Sequence, residues 1–166
     1  MLFNSLKMRK CIFYFLIVLE VGGGFLGILT VIAKTPWSKS MPAHIWIFAI
    51  HACFMFLLGI IAGLAFVEKP RLGIALSAVY QALQIPVMLS PLLSYKFIVG
   101  LLLGIGLSNG KPVVLAESGA SITVMLFKSA NEWLIGVNIL ALFLFVYLLF
   151  IFIRKKDLFS YVESSS

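Results

Sequence analysis

Glu20 stands in the middle of an apolar run of more than twenty residues and is followed at once by Val21-Gly22-Gly23-Gly24-Phe25-Leu26-Gly27. A carboxylate at that depth in a membrane costs at least a few kcal/mol, so it must face protein or water and find a partner. It could do two kinds of chemistry there. It could take up and release a proton, or it could accept hydrogen bonds that fix the register of neighbouring helices. Candidate partners are the other polar residues inside apolar runs, namely His51, Gln81, Gln84 and Asn138. Counted at 1.5 Å per residue from the expected span ends, Glu20 and Gln81 lie about 14 Å and Gln84 about 18 Å from the inner surface. His51 and Asn138 lie about 9 and 8 Å from the outer one, so in a core of about 30 Å all five share one slab. The expectation is a single hydrogen-bonded cluster at the centre of a bundle, forming a proton or substrate site or an interhelical tie.

Gly23, Gly24 and Gly27 recur three, four and seven residues after Glu20, on the same helix face, and Gly23 and Gly27 make a GxxxG. Small residues at that spacing let another helix approach closely. The polar, glycine-rich face of the first helix is therefore the expected packing surface.

Other chemistries lack their residues. Cys11 and Cys53 lie in apolar runs with no CxxC and read as small buried hydrophobes. His44 and His51 are seven apart and share a helix face, but no further ligand set accompanies them, so neither a metal nor a cofactor is expected. The sequence carries no phosphate loop, paired carboxylates or nucleophile–base pattern, which leans the reading away from an enzyme. The net charge of +7 comes from basic residues at the ends of apolar runs, where membrane orientation accounts for them and a nucleic-acid partner is not needed.

The elements that would position these residues follow from composition. At 62% hydrophobic and 11% charged, the 166 residues have less than half the charge of a soluble domain and read as one integral membrane domain. Four spans are expected, at residues 11–33, 45–67, 72–93 and 133–153, joined by the proline-punctuated segment 34–42 and by the short turn Glu68-Lys69-Pro70-Arg71. Pro86 predicts a kink in the third. Residues 95–128 read differently, because large and small residues alternate with period two from Tyr95 to Ser108. Asn109-Gly110 predicts a hairpin, Glu117-Ser118-Gly119 a second turn, and residues 121–127 a third strand, with the large side packing down on the bundle. A re-entrant helix over residues 97–107 is the alternative.

The fold expected is thus an all-α membrane protein, a four-transmembrane-helix bundle with a small extracytoplasmic β-rich cap between helices three and four. Eight basic residues fall on the side of both termini and five on the other, which places the termini in the cytoplasm of a plasma or inner membrane, with a loosely ordered tail over residues 157–166. The function expected is that of a small integral membrane subunit or accessory protein. It would assemble with itself or a larger membrane complex through the first-helix face, with the lipid bilayer and other membrane chains as partners. A proton-coupled carrier or channel using Glu20, and a quinone- or lipid-handling protein, are the alternatives.

Overall fold

The computed structural model describes residues 6–38, 42–126 and 133–153. Residues 154–166, which hold the basic run Arg154-Lys155-Lys156 counted on the side of the termini and the tail expected to be loosely ordered, lie outside the described residues. Among those described, about 61% are helical and 29% lie in a curled four-stranded antiparallel sheet, so the chain is not an all-α four-helix bundle.

The first helix is continuous in three parts: α1 (Leu6–Ile17), a π-helical segment (Val18–Gly22) and α2 (Gly23–Lys34). Then come α3 (Ala43–Glu68), α4 (Pro70–Gln84), β1 (Pro86–Leu89), β2 (Leu93–Ser108), β3 (Lys111–Leu126), β4 (Leu134–Asn138) and α5 (Ile139–Ile153). The first helix over Lys10–Lys34, with 25 residues, and α3, with 26, are long and apolar enough to cross a membrane. The expected third and fourth spans are corrected. Each of α4 and α5 has 15 residues, which reach only about 22 Å of a core of about 30 Å.

Local chemistry explains both shortfalls. Pro86 has no N–H with which to continue the helical ladder, so α4 stops at Gln84 instead of kinking, and Ile85 is the last residue to keep helical dihedrals (φ −66°, ψ −52°). Pro86 then opens β1, a strand position that tolerates proline, and Pro91 falls in the β1–β2 turn, where Ser90 N–H meets the Leu93 carbonyl at 3.0 Å. At the other end, Leu134-Ile135-Gly136-Val137-Asn138 alternates between exposed and buried as a strand does. Hydropathy alone does not distinguish that segment from the helix that follows it.

Strands, not a re-entrant helix, occupy residues 97–107. Asn109 and Gly110 have φ of 48° and 80°, the two positive values that a two-residue hairpin turn requires. Glu117-Ser118-Gly119 is not a turn, because β3 pairs with β2 without interruption from Lys111 to Leu126. The two strands bend together where Gly100 (φ 83°) faces Gly119 (φ 125°). Before the bend, β1 pairs with the start of β2 (Val87 with Lys96); after it, β4 pairs with the end of β2 (Asn138 with Gly104). Since β1 and β4 also pair with each other, the sheet closes on itself as a cup.

The cup is not a cap laid over the bundle. Phe97 and Val99 are buried against Phe56 and Tyr80, with ring centroids 5.7 Å (Phe56–Phe97) and 5.5 Å (Tyr80–Phe97) apart, a contact held by close van der Waals packing. Val87, Ile98 and Leu102 form a second core on the cup's inner face, with Leu115 and Leu134 against it. Past the bend, Leu103, Ile105 and Leu107 point outward and are exposed, which corrects the expectation that the large side packs on the bundle throughout. The cysteines are corrected as well: Cys11 is exposed and Cys53 half-buried.

Candidate functional site

The π-helical turn puts Glu20 where α4 and α3 meet the first helix, with zero exposure. Such widened turns recur at functional positions because they re-aim one side chain without breaking the helix. Ser77 Oγ donates to Glu20 Oε2 at 2.6 Å, and Gln81 Nε2 donates to Oε1 at 3.1 Å. Both carboxyl oxygens are held by neutral donors from one face of α4.

That face continues upward. Gln84, three residues beyond Gln81, is buried, and its Oε1 accepts the Val99 backbone N–H at 3.0 Å, so it grips β2 just before the bend at Gly100. Asn138 grips β2 on the other side of the bend: its Oδ1 accepts the N–H of Leu103 at 3.4 Å and that of Ala141 at 3.3 Å. The second contact makes Asn138 the N-cap of α5. Its own backbone N–H donates to the Ile85 carbonyl at 2.8 Å, closing the end of α4. Tyr95 adds a third tie, its hydroxyl donating to the Leu83 carbonyl at 2.6 Å.

The five polar residues expected to meet in one cluster are therefore distributed along a spine. Glu20 and Gln81 touch; Gln84 and Asn138 hold the strand on either side of Gly100; His51 is on the exposed face of α3 and takes no part. Ser77 was not expected. Its signal in the sequence is its spacing of four from Gln81 and seven from Gln84, which sets it on their face. The glycines are used within the chain. A side chain at Gly24 would meet the Phe56 carbonyl at 2.7 Å, one at Gly27 would strike the Phe56 ring, and one at Gly23 would strike Val99. The expected close packing on this face is intramolecular.

The cup holds a half-open cavity of about 400 Å³. Val87, Leu102, Leu115 and Leu134 supply apolar wall, and Ser94, Lys96, Glu117 and Thr123 supply polar groups. Lys96 and Glu117 pair at 2.9 Å, each partly exposed. Ser94 is 1% exposed, and among the described residues its Oγ has no hydrogen-bond partner. No residue of this cavity was singled out from sequence. The register of Lys96 with Thr123 and of Leu102 with Glu117 sets four of them on one face, but the bend that brings them together depends on two glycines far apart in the chain.

Comparison with protein-family models, with curated proteins and with solved structures gives no match, so the geometry alone carries the functional reading.

Proposed function

We propose that the chain is an integral membrane protein that binds a small lipid-like molecule in the cup, with the polar spine as its brace. This is the lipid-handling reading, and the observation that carries it is the cavity itself. Its volume of about 400 Å³ falls within the range of small-molecule sites, roughly 300–1,000 Å³, and its mostly apolar wall with a few polar groups is the usual composition of such sites.

Membrane embedding is supported by where the apolar surface lies. Only 28% and 33% of the most apolar windows of the two long helices are buried within the chain, whereas the core helix of a soluble protein is mostly covered. Phe25, Leu29, Ile50, Phe54, Ile61 and Phe143 are all exposed, a surface that water would not tolerate. In this reading the first helix crosses outward and α3 returns. The α4–sheet–α5 excursion enters from the inner side and comes back to it, so both termini are cytoplasmic.

The two other readings have less support. The glycine face is packed against α3 and β2 of the same chain, which leaves it no room to dock a partner. Glu20 has both oxygens engaged and no exposure, as befits a brace. The test is to extract purified full-length protein with organic solvent and measure by mass spectrometry what leaves with it. An equimolar apolar molecule from wild type that is lost in Leu115→Trp and in Leu134→Trp supports the proposal. The same extract from all three contradicts it.

A further inference from the structure

Resting on the reading of the cup as a ligand site, we infer that its ligand is a single-chain amphiphile with an uncharged oxygen head, a hydroxyl or carbonyl, recognised by Ser94. A buried polar atom without a partner is costly, and Ser94, a residue of the cavity wall, holds one: its Oγ has no partner among the described residues and under 1 Å² of accessible surface, so the serine side chain has to rotate to present it to the cavity. A ligand hydroxyl or carbonyl oxygen within hydrogen-bond reach removes that cost. Because a serine hydroxyl both donates and accepts, it serves either head.

Charge at the lip selects against the alternatives. Lys96 and Glu117 are paired through both Glu117 oxygens, at 2.9 and 3.2 Å, so the pair presents no net charge to the cavity. An anionic head would have to displace Glu117 from Lys96 while facing that carboxylate. A cationic head would face the ammonium. An uncharged head disturbs neither, and Thr123, directly across the ladder from Lys96, offers it a second hydroxyl.

Size sets the other half of the class. The volume is at the small end of ligand sites, which suits one chain and not the two of a phospholipid. Val87, Leu102, Leu115 and Leu134 form the wall that the chain would lie against.

The experiment uses full-length protein in detergent and native mass spectrometry with four dodecyl probes: 1-dodecanol, monolaurin, laurate and dodecyltrimethylammonium. The inference expects dodecanol and monolaurin to saturate at one per chain at concentrations at least tenfold below the two charged probes. Ser94→Ala should weaken dodecanol about fivefold, the loss of one hydrogen bond of about 1 kcal/mol, and Leu115→Trp should abolish the one-per-chain adduct. If all four bind alike and Ser94→Ala changes none of them, the head-group inference is overturned while the cup stands as a site. Should laurate bind most tightly and lose its affinity in Lys96→Met, the site is an anion site and the inference is again wrong. If no probe gives a saturable adduct that differs between wild type and Leu115→Trp, the cup is not a ligand site at all. Ser94→Ala removes one atom from a wall and keeps the inference testable if the tryptophan variant fails to fold.

Discussion

Lys96 and Glu117 touch at 2.9 Å, although the ladder sets Glu117 opposite Leu102, six residues further along β2 from Lys96. In a straight strand those positions would be about 20 Å apart. The contact therefore reports the sharp bend at Gly100 and Gly119, which folds the hairpin back over itself and makes the cup. A zero-length carbodiimide cross-link between Lys96 and Glu117 in the full-length protein is expected, found by peptide mass spectrometry, while Lys111 at the far end of the hairpin gives none to Glu117. Absence of the Lys96–Glu117 link would mean a flat hairpin, in which both lysines stand about 20 Å along the strands from Glu117. As a partly exposed pair it contributes little to stability, under about 1 kcal/mol in a double-mutant cycle.

The bend makes its own prediction. Gly100 and Gly119 both have positive φ, where a side chain costs about 1–3 kcal/mol. A Cβ at Gly119 meets nothing, but one at Gly100 would also come within 2.9 Å of Leu19. Gly119→Ala should lower thermal stability by the strain alone, and Gly100→Ala by more. Equal or negligible losses in thermal unfolding would contradict the bend.

Much of this fold was legible in the sequence and some was not, for definable reasons. The two long helices follow from apolar runs of more than twenty residues, and the hairpin turn from Asn109-Gly110. Residues 86–93 and 134–138 misled because apolar strands buried on one face have the hydropathy of a helix, and only Pro86 and the alternation around Gly136 hint otherwise. The contact between Glu20 and Gln81 could be anticipated by depth, because α4 starts where the sequence puts it. Asn138 was placed by assuming a helix from residue 133, and the five residues of β4 shift it to the junction of sheet and α5. Which face of α3 carries His51 was hidden, because that helix is apolar all round. The cavity was invisible, since nothing local encodes the closure of β1 and β4 around a bend.

At the brace, Ser77→Ala should cost about 1 kcal/mol by removing one donor from Glu20. Glu20→Ala should cost more, because it strands both Ser77 and Gln81 in the core. Glu20→Gln keeps an acceptor for one donor, and it should leave the fold and ligand binding in place. Unfolding midpoints in detergent measure the first two changes. A folded Glu20→Gln protein that has lost its ligand would move Glu20 from the brace to the binding chemistry.

Orientation is tested separately. A reporter fused after Ser166 should lie in the cytoplasm, and one inserted at Asn109-Gly110 should lie outside, following the distribution of basic residues. Labelling of both sites on the same side would mean that the sheet does not reach the outer surface.

The most direct test of the central claim, that the closed sheet holds a lipid-like molecule, is to locate where one binds. Full-length protein in lipid nanodiscs is irradiated with a long-chain alcohol bearing a diazirine, and the labelled residues are identified by peptide mass spectrometry. The account predicts saturable labelling concentrated on the cup's inner wall, at Val87, Leu102, Leu115 or Leu134, and competed by unlabelled dodecanol. Labelling confined to the outer helix faces, such as Phe25, Leu29 and Phe54, rising without saturation as from bulk lipid, would contradict it.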